Sequence, residues 1–246
     1  MCPPRWPAAA AAADPVGPRP GGASGAAGSE TIAGGTSERP PTREGQVTAL
    51  DSSLVEPTLR RVAVFCASST GTDPKLSADA YGVGRGLAER GIGLVYGAGG
   101  QGLMRQVSQG ALDAGGEVIG VIPRSMVERE WGRADLTEVH IVETMHERKA
   151  MMAEYADAFL CLPGGLGTLE EIFEVWSWRQ IGFNDDPVGF LNVDGFWTPL
   201  LKALDGLVDA GFVRREVIDD LVVADNLDDA LAGLAARAGL GDSMPA

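Results

Sequence analysis

Two short stretches of this 246-residue chain carry the residue types that chemistry on a phosphorylated small molecule would need. One is Met145-His146-Glu147-Arg148-Lys149. The other is Pro163-Gly164-Gly165-Leu166-Gly167-Thr168-Leu169-Glu170-Glu171. A glycine turn that opens a helix presents bare N–H groups and the positive end of the helix dipole, which suits a phosphate. Arg148 and Lys149 add cationic donors, and Glu171, one turn into the helix, adds a carboxylate. Each signal also has a plain structural reading. Thr168-Leu169-Glu170-Glu171 fits a capping box, in which Thr168 caps and Glu171 reaches back. Arg148 and Lys149 fit a solvated helix face, and the glycines fit tight packing. What favours a site is their convergence on one strand–turn–helix unit.

The elements that must position these residues follow from hydrophobic pattern. Apolar, β-branched runs at 61–67, 92–96, 118–122, 139–142, 158–162, 187–191 and 219–223 read as seven strands. Helical spacing occupies 76–90, 102–114, 145–155, 168–180, 198–210 and 227–236, with 124–137 irregular and charged. Strands alternating with helices imply a parallel sheet covered on both faces, an α/β Rossmann-like single domain. Ligands of such sheets sit where strand carboxyl ends meet helix starts. The hydroxyls Ser68, Ser69 and Thr70 after the first strand fit either a crevice lining or an ordinary turn. Gly97-Ala98-Gly99-Gly100-Gln101-Gly102 formally matches GxGxxG. It follows the second strand rather than the first, and no acid ends the next one, so a dinucleotide is disfavoured. A tight loop that lets a nucleotide or a helix approach the backbone is expected instead.

Composition narrows the partners. Residues 1–57 are rich in Ala, Pro, Gly, Ser and Thr without apolar periodicity, so a disordered tail is expected there and the folded domain over 58–241. A net charge of −14 disfavours nucleic acid, though not a small anion held by a local cationic cluster. The Ala8–Ala13 run lacks the apolar centre of a signal peptide, and no stretch is long enough to span a membrane. Cys2, Cys66 and Cys161 have no metal or redox spacing; the last two read as small buried hydrophobes in a reducing, cytoplasmic protein. With His140 and His146 the only histidines, no metal and no cofactor is expected, and activity should survive chelation.

The ordered pair MHERKAMM and PGGLGTLEE resembles the LONELY GUY (LOG) family, cytokinin-activating phosphoribohydrolases long labelled as possible lysine decarboxylases. VFCASSTG, LVYGAGGQGLM, VIGVIP, EVWSWRQIGF and PVGFLNVDGFW extend the likeness over about residues 61–225, and the 23-residue interval from Arg148 to Glu171 agrees with it. The resemblance implies hydrolysis of the N-glycosidic bond of a nucleoside 5′-monophosphate, AMP or its N6-isoprenoid form, to free base and ribose 5-phosphate. It implies catalytic Arg148 and Glu171. It also implies substrate contacts from Glu130, Lys149, Gly164, Gly165, Leu166, Gly167, Thr168, Leu169, Glu170 and Ser177. Such a reaction passes through an oxocarbenium-like ribosyl cation, which a carboxylate stabilises. Family members are at least dimers, so a homodimer is expected, with Trp176 and Trp178 suited equally to an interface or to the core. Relatives usually carry glycine where Ala67, Ala98 and Arg105 stand here.

Two other readings stay open. Amino-acid decarboxylation would normally need a lysine Schiff base to pyridoxal phosphate, and of Lys75, Lys149 and Lys202 only Lys149 lies near the motifs. A non-catalytic nucleotide-binding module would leave Glu171 as a cap.

Overall fold

Along Arg61–Phe65 (β1) alternate side chains serve opposite cores: Val62 and Val64 face one, Ala63 and Phe65 the other. A strand buried on both faces needs helices above and below it. The computed structural model, which describes residues 59–129 and 132–238, supplies them. The other strands are β2 (Gly93–Tyr96), β3 (Val118–Pro123), β4 (Glu138–Val142), β5 (Ala158–Cys161), β6 (Val188–Leu191) and β7 (Val222–Ala224). They form one sheet in the order β4-β3-β2-β1-β5-β6-β7, with every neighbouring pair parallel. The expected seven-stranded, Rossmann-like α/β architecture is therefore present.

On one face Leu87 of α1 (Lys75–Glu89), Val107 of α2 (Gly102–Asp113) and Leu234 of α8 (Leu227–Ala238) pack in one core with Val62 and Leu160. On the other, Phe65 and Phe159 meet Met152 of α4 (Met145–Tyr155), Ile172 of α5 (Leu166–Gln180), Leu204 of α6 (Thr198–Asp209) and Val217 of α7 (Arg215–Asp219). Burying each such side chain is worth about 1.5–3 kcal/mol. The chain steps outward from β1 through β2 and β3 to β4, then returns to β5 on the opposite side of β1. That reversal opens a crevice above the carboxyl ends of β1 and β5, the usual ligand position in an open α/β sheet.

Three boundaries differ from the sequence reading. The seventh strand is Val222–Ala224 rather than 219–223, because Arg215–Asp219 forms a helix that buries Val217. Arg124–Val127 (α3) is a short helix within the stretch read as irregular. α5 starts at Leu166, with Gly165 in extended conformation as its cap, so Thr168 lies inside the first turn. Among the described residues no helix is long and apolar enough to cross a membrane. The tail over 1–57 lies outside the described residues.

Candidate active site

A cavity of about 610 Å³ occupies that crevice, within the range of small-ligand pockets. Its floor is Cys66 and Ala67 at the end of β1, with Gly97 at the end of β2 and Ile122 of β3 beside them. Gly165, Gly167 and Thr168 at the start of α5 form one wall, with Glu170 and Glu171 behind. Ser68 and Ser69 also face in, as the crevice reading expected. Met104, Met126 and Met145 add apolar lining from α2, α3 and α4, with Met145 Sδ 3.9 Å from Arg148 Nη1.

Arg148 reaches this cavity because of how α4 begins. Thr144 Oγ1 accepts from Glu147 N at 3.1 Å, and Glu147 Oε2 accepts from Glu143 N at 2.9 Å. This capping exchange fixes the phase of the helix, and Arg148 and Lys149 turn inward, both about 95% buried. A buried guanidinium must spend its donors. Arg148 Nε donates to Val121 O at 3.2 Å and Nη2 to Gly97 O at 3.3 Å. Nη1 lies 3.0 Å from Glu171 Oε1. Two strand ends and two helices thus hold one side chain, and Arg148 and Glu171 come together as expected. Burial pushes the Glu171 carboxyl above its usual range. Arg148 and Lys149 oppose that rise, while Glu170 and Glu174 add to it. Glu171 therefore pairs with Arg148 and does not reach back to cap its own helix.

The glycine turn leaves the start of α5 uncapped. α5 has no acid in its first turn and no side-chain cap, and its first hydrogen bond runs from Leu169 N to Gly165 O at 3.0 Å. The preceding amides lack a helical acceptor. Added Cβ atoms at Gly165 and Gly167 would meet nothing within 4 Å, so this end stands open, with Leu166 exposed beside it. Gly164 differs, because a Cβ there would lie 2.1 Å from Thr168 Oγ1. The missing Cβ at Gly164 leaves room for the buried Thr168 side chain to pack against the turn.

The GxGxxG-like loop is closed to a pyrophosphate. Leu103 N and Met104 N, the donors at the start of α2, are spent on Ser69 O and Ala67 O at 3.2 Å each. Gly102 has φ +59°, and a Cβ there would lie 2.2 Å from the Ser68 carbonyl carbon. The loop lets a helix, not a dinucleotide, approach the backbone. Its other consequence was not visible in the sequence: a Cβ at Gly97 would lie 1.6 Å from Arg148 Nη2.

The remaining expectations divide. Lys149 does not line the cavity; its Nζ pairs with Glu170 Oε1 and lies 2.6 Å from Glu174 Oε2. The Glu170-x-x-x-Glu174 spacing, one face of a helix, was the signal for this second carboxylate. Leu169 is half-buried against the core, and Ser177 is exposed about three turns along α5, away from the cavity. Glu130 lies outside the described residues. Trp176 is buried in the core and Trp178 packs partly against it. Cys66 and Cys161 are buried free thiols that burial holds well above the usual thiol range. Among the described residues no group of three or more His, Cys, Asp or Glu is arranged to hold a metal.

Comparison with known proteins adds an independent line. A family described as "Possible lysine decarboxylase" matches residues 104–234. The cytokinin riboside 5′-monophosphate phosphoribohydrolase LOG5 of Arabidopsis thaliana is 43% identical over 191 residues, 78% of this chain and 84% of that protein. LOG3 of the same plant is 47% identical over 169 residues, 68% and 79% of the two chains. Among solved structures, the molybdenum cofactor carrier protein of Chlamydomonas reinhardtii superposes with a TM-score of 0.53 at 21% identity, over 73% of this chain and 98% of that one. At that identity the likeness is one of fold.

Proposed function

The chain belongs to the LOG family of cytokinin riboside 5′-monophosphate phosphoribohydrolases, and from that premise we propose that its cavity cleaves the N-glycosidic bond of a nucleoside 5′-monophosphate. The observation that carries the reading is the Arg148–Glu171 pair at 3.0 Å, buried at the back of a cavity whose wall is an open helix start.

The 5′-phosphate takes the free amides at Leu166, Gly167 and Thr168, where a helix start compensates negative charge. The ribose then lies toward Glu171, and the base extends toward the methionine side chains. As the bond from C1′ to the base nitrogen breaks, positive charge builds on the ribosyl ring, and the Glu171 carboxylate stabilises it. Water adds its oxygen to C1′ and gives one proton to Glu171, and the departing base nitrogen takes up one proton, so that the net transfer is OH to C1′ and H to the base once Glu171 has released its proton. Arg148 fixes the carboxylate in position and favours its ionised form. Flexible thioethers from Met104, Met126 and Met145 suit an adenine bearing an apolar N6 substituent. Decarboxylation has no support from this geometry, since Lys149 does not line the cavity and is committed to two carboxylates, Glu170 and Glu174.

The test is a chromatographic assay with AMP and with isopentenyladenosine 5′-monophosphate. Wild type should release base and ribose 5-phosphate, and Arg148→Ala and Glu171→Ala should lose about 10³-fold in kcat/KM. Nucleotide binding without base release would sink the hydrolase and leave a nucleotide-binding module.

A further inference from the structure

Arg148 and Lys149 are neighbours on α4, and each faces carboxylates of α5, but only Arg148 lines the cavity. Lys149 is 5% exposed, a costly position for an ammonium unless its partners compensate. Its partners are Glu170, whose side chain is 56% exposed at the cavity edge, and Glu174, one turn further and 24% exposed. Glu171 sits between them in the sequence and points to Arg148 instead. Three carboxylates therefore share one end of α5, and two cations answer them.

We propose that Lys149 is a positioning residue that never touches the nucleotide: by binding Glu170 and Glu174 it docks α5 on α4 and shields Glu171 from their charge. The inference rests on the hydrolase reading, and it departs from the substrate-contact role that family resemblance gives Lys149. The groups acting on Glu171 are Arg148 and Lys149 from α4 and Glu170 and Glu174 from its own helix, while the Cys66 thiol of the β1 end is neutral. Without the ammonium, two like charges face Glu171 uncompensated, and both favour its protonated form. The carboxylate that must be ionised for the reaction would then be lost at higher pH.

The experiment compares wild type, Lys149→Met, Glu170→Gln/Glu174→Gln, and the triple variant, reading kcat/KM against pH and the Glu171 titration by carbon NMR of 13C-glutamate-labelled protein. Lys149→Met should move the Glu171 midpoint and the acid limb upward together, with KM for AMP changed less than threefold. The triple variant should bring both back down from the Lys149→Met values, to values above those of the double variant, which keeps the ammonium. An unchanged midpoint, or a rise in KM that the triple variant fails to rescue, would overturn the proposal and make Lys149 a substrate ligand. Lys149→Arg serves if the Met variant does not fold; a cation retained there should leave the midpoint at the wild-type value, and an upward shift would overturn the proposal. The NMR midpoint needs no turnover. A wild type that releases no base thus defeats the hydrolase reading separately, while the titration still decides what Lys149 does to Glu171.

Discussion

Arg148 occupies the space a side chain at position 97 would need, for a Cβ on Gly97 would stand 1.6 Å from Nη2 of the guanidinium. The obstructed atom is the tip of a long side chain rather than backbone, so Gly97→Ala can be accommodated by moving Arg148. The fold should survive, with a loss of stability under about 2 kcal/mol, while Arg148 is pulled off Gly97 O and Glu171. A misplacement of about 1 Å costs about 10²-fold in rate. Thermal unfolding beside base release checks it. A variant equally active at equal stability would show that the placement of Arg148 is not critical.

The glycines of the second motif should separate by role. Gly165→Ala and Gly167→Ala add a methyl to open space and should fold normally while crowding the phosphate. KM for AMP should rise about tenfold or more, with adenosine binding little affected. Gly164→Ala instead drives a methyl into Thr168, an overpacking of about 1–3 kcal/mol. Its signature is a lowered Tm, and isothermal titration with inorganic phosphate distinguishes the two classes.

How far the sequence spoke depended on whether local signals decided the outcome. The β5–turn–α5 unit was legible because an apolar run, a Pro-Gly break and the helical spacing after it are local. Thr168 as a cap was not settled locally: the glycine turn carried the helix start back to Leu166, and Arg148, distant in sequence, took Glu171. The direction of Lys149 was hidden too, since it depends on the helix phase set by Thr144 and Glu147. The last strand was misplaced by the run Ile218-Asp219-Asp220-Leu221-Val222-Val223, where a short helix and an edge strand follow closely without a glycine or proline between them.

Ala98 is buried with φ +53°, a conformation that costs a non-glycine residue about 1–2 kcal/mol. The relatives' usual glycine fits this backbone. Ala98→Gly relieves the strain but removes a buried methyl worth about 0.8 kcal/mol. Its net effect should fall within about 1 kcal/mol of zero, read by urea unfolding. A loss above 2 kcal/mol would mean that the packing of the methyl beside Gly120 outweighs the strain.

Chelation should leave the rate unchanged. Glu171 is engaged by Arg148, and Glu170 and Glu174 by Lys149, so the cavity's carboxylates are already answered by protein cations. Activity after dialysis against EDTA should match the untreated enzyme, and a loss restored by one divalent cation would contradict this.

Acid should act on activity and on stability with opposite signs through Glu171. Its carboxyl is raised by burial, so the folded chain holds that proton at pH values where the unfolded chain, near an ordinary pKa of about 4.3, has released it. A raised group contributes stability that is fully present below the unfolded value and is lost as pH rises through the folded one. Catalysis needs the ionised form, so kcat/KM should climb across that same interval. In Glu171→Gln the pH dependence of stability that Glu171 contributes within the interval should vanish, along with turnover. Paired urea-unfolding and rate profiles from about pH 4 upward are the measurement. If stability and activity rise together through the interval and Glu171→Gln changes neither slope, the limb belongs to another group.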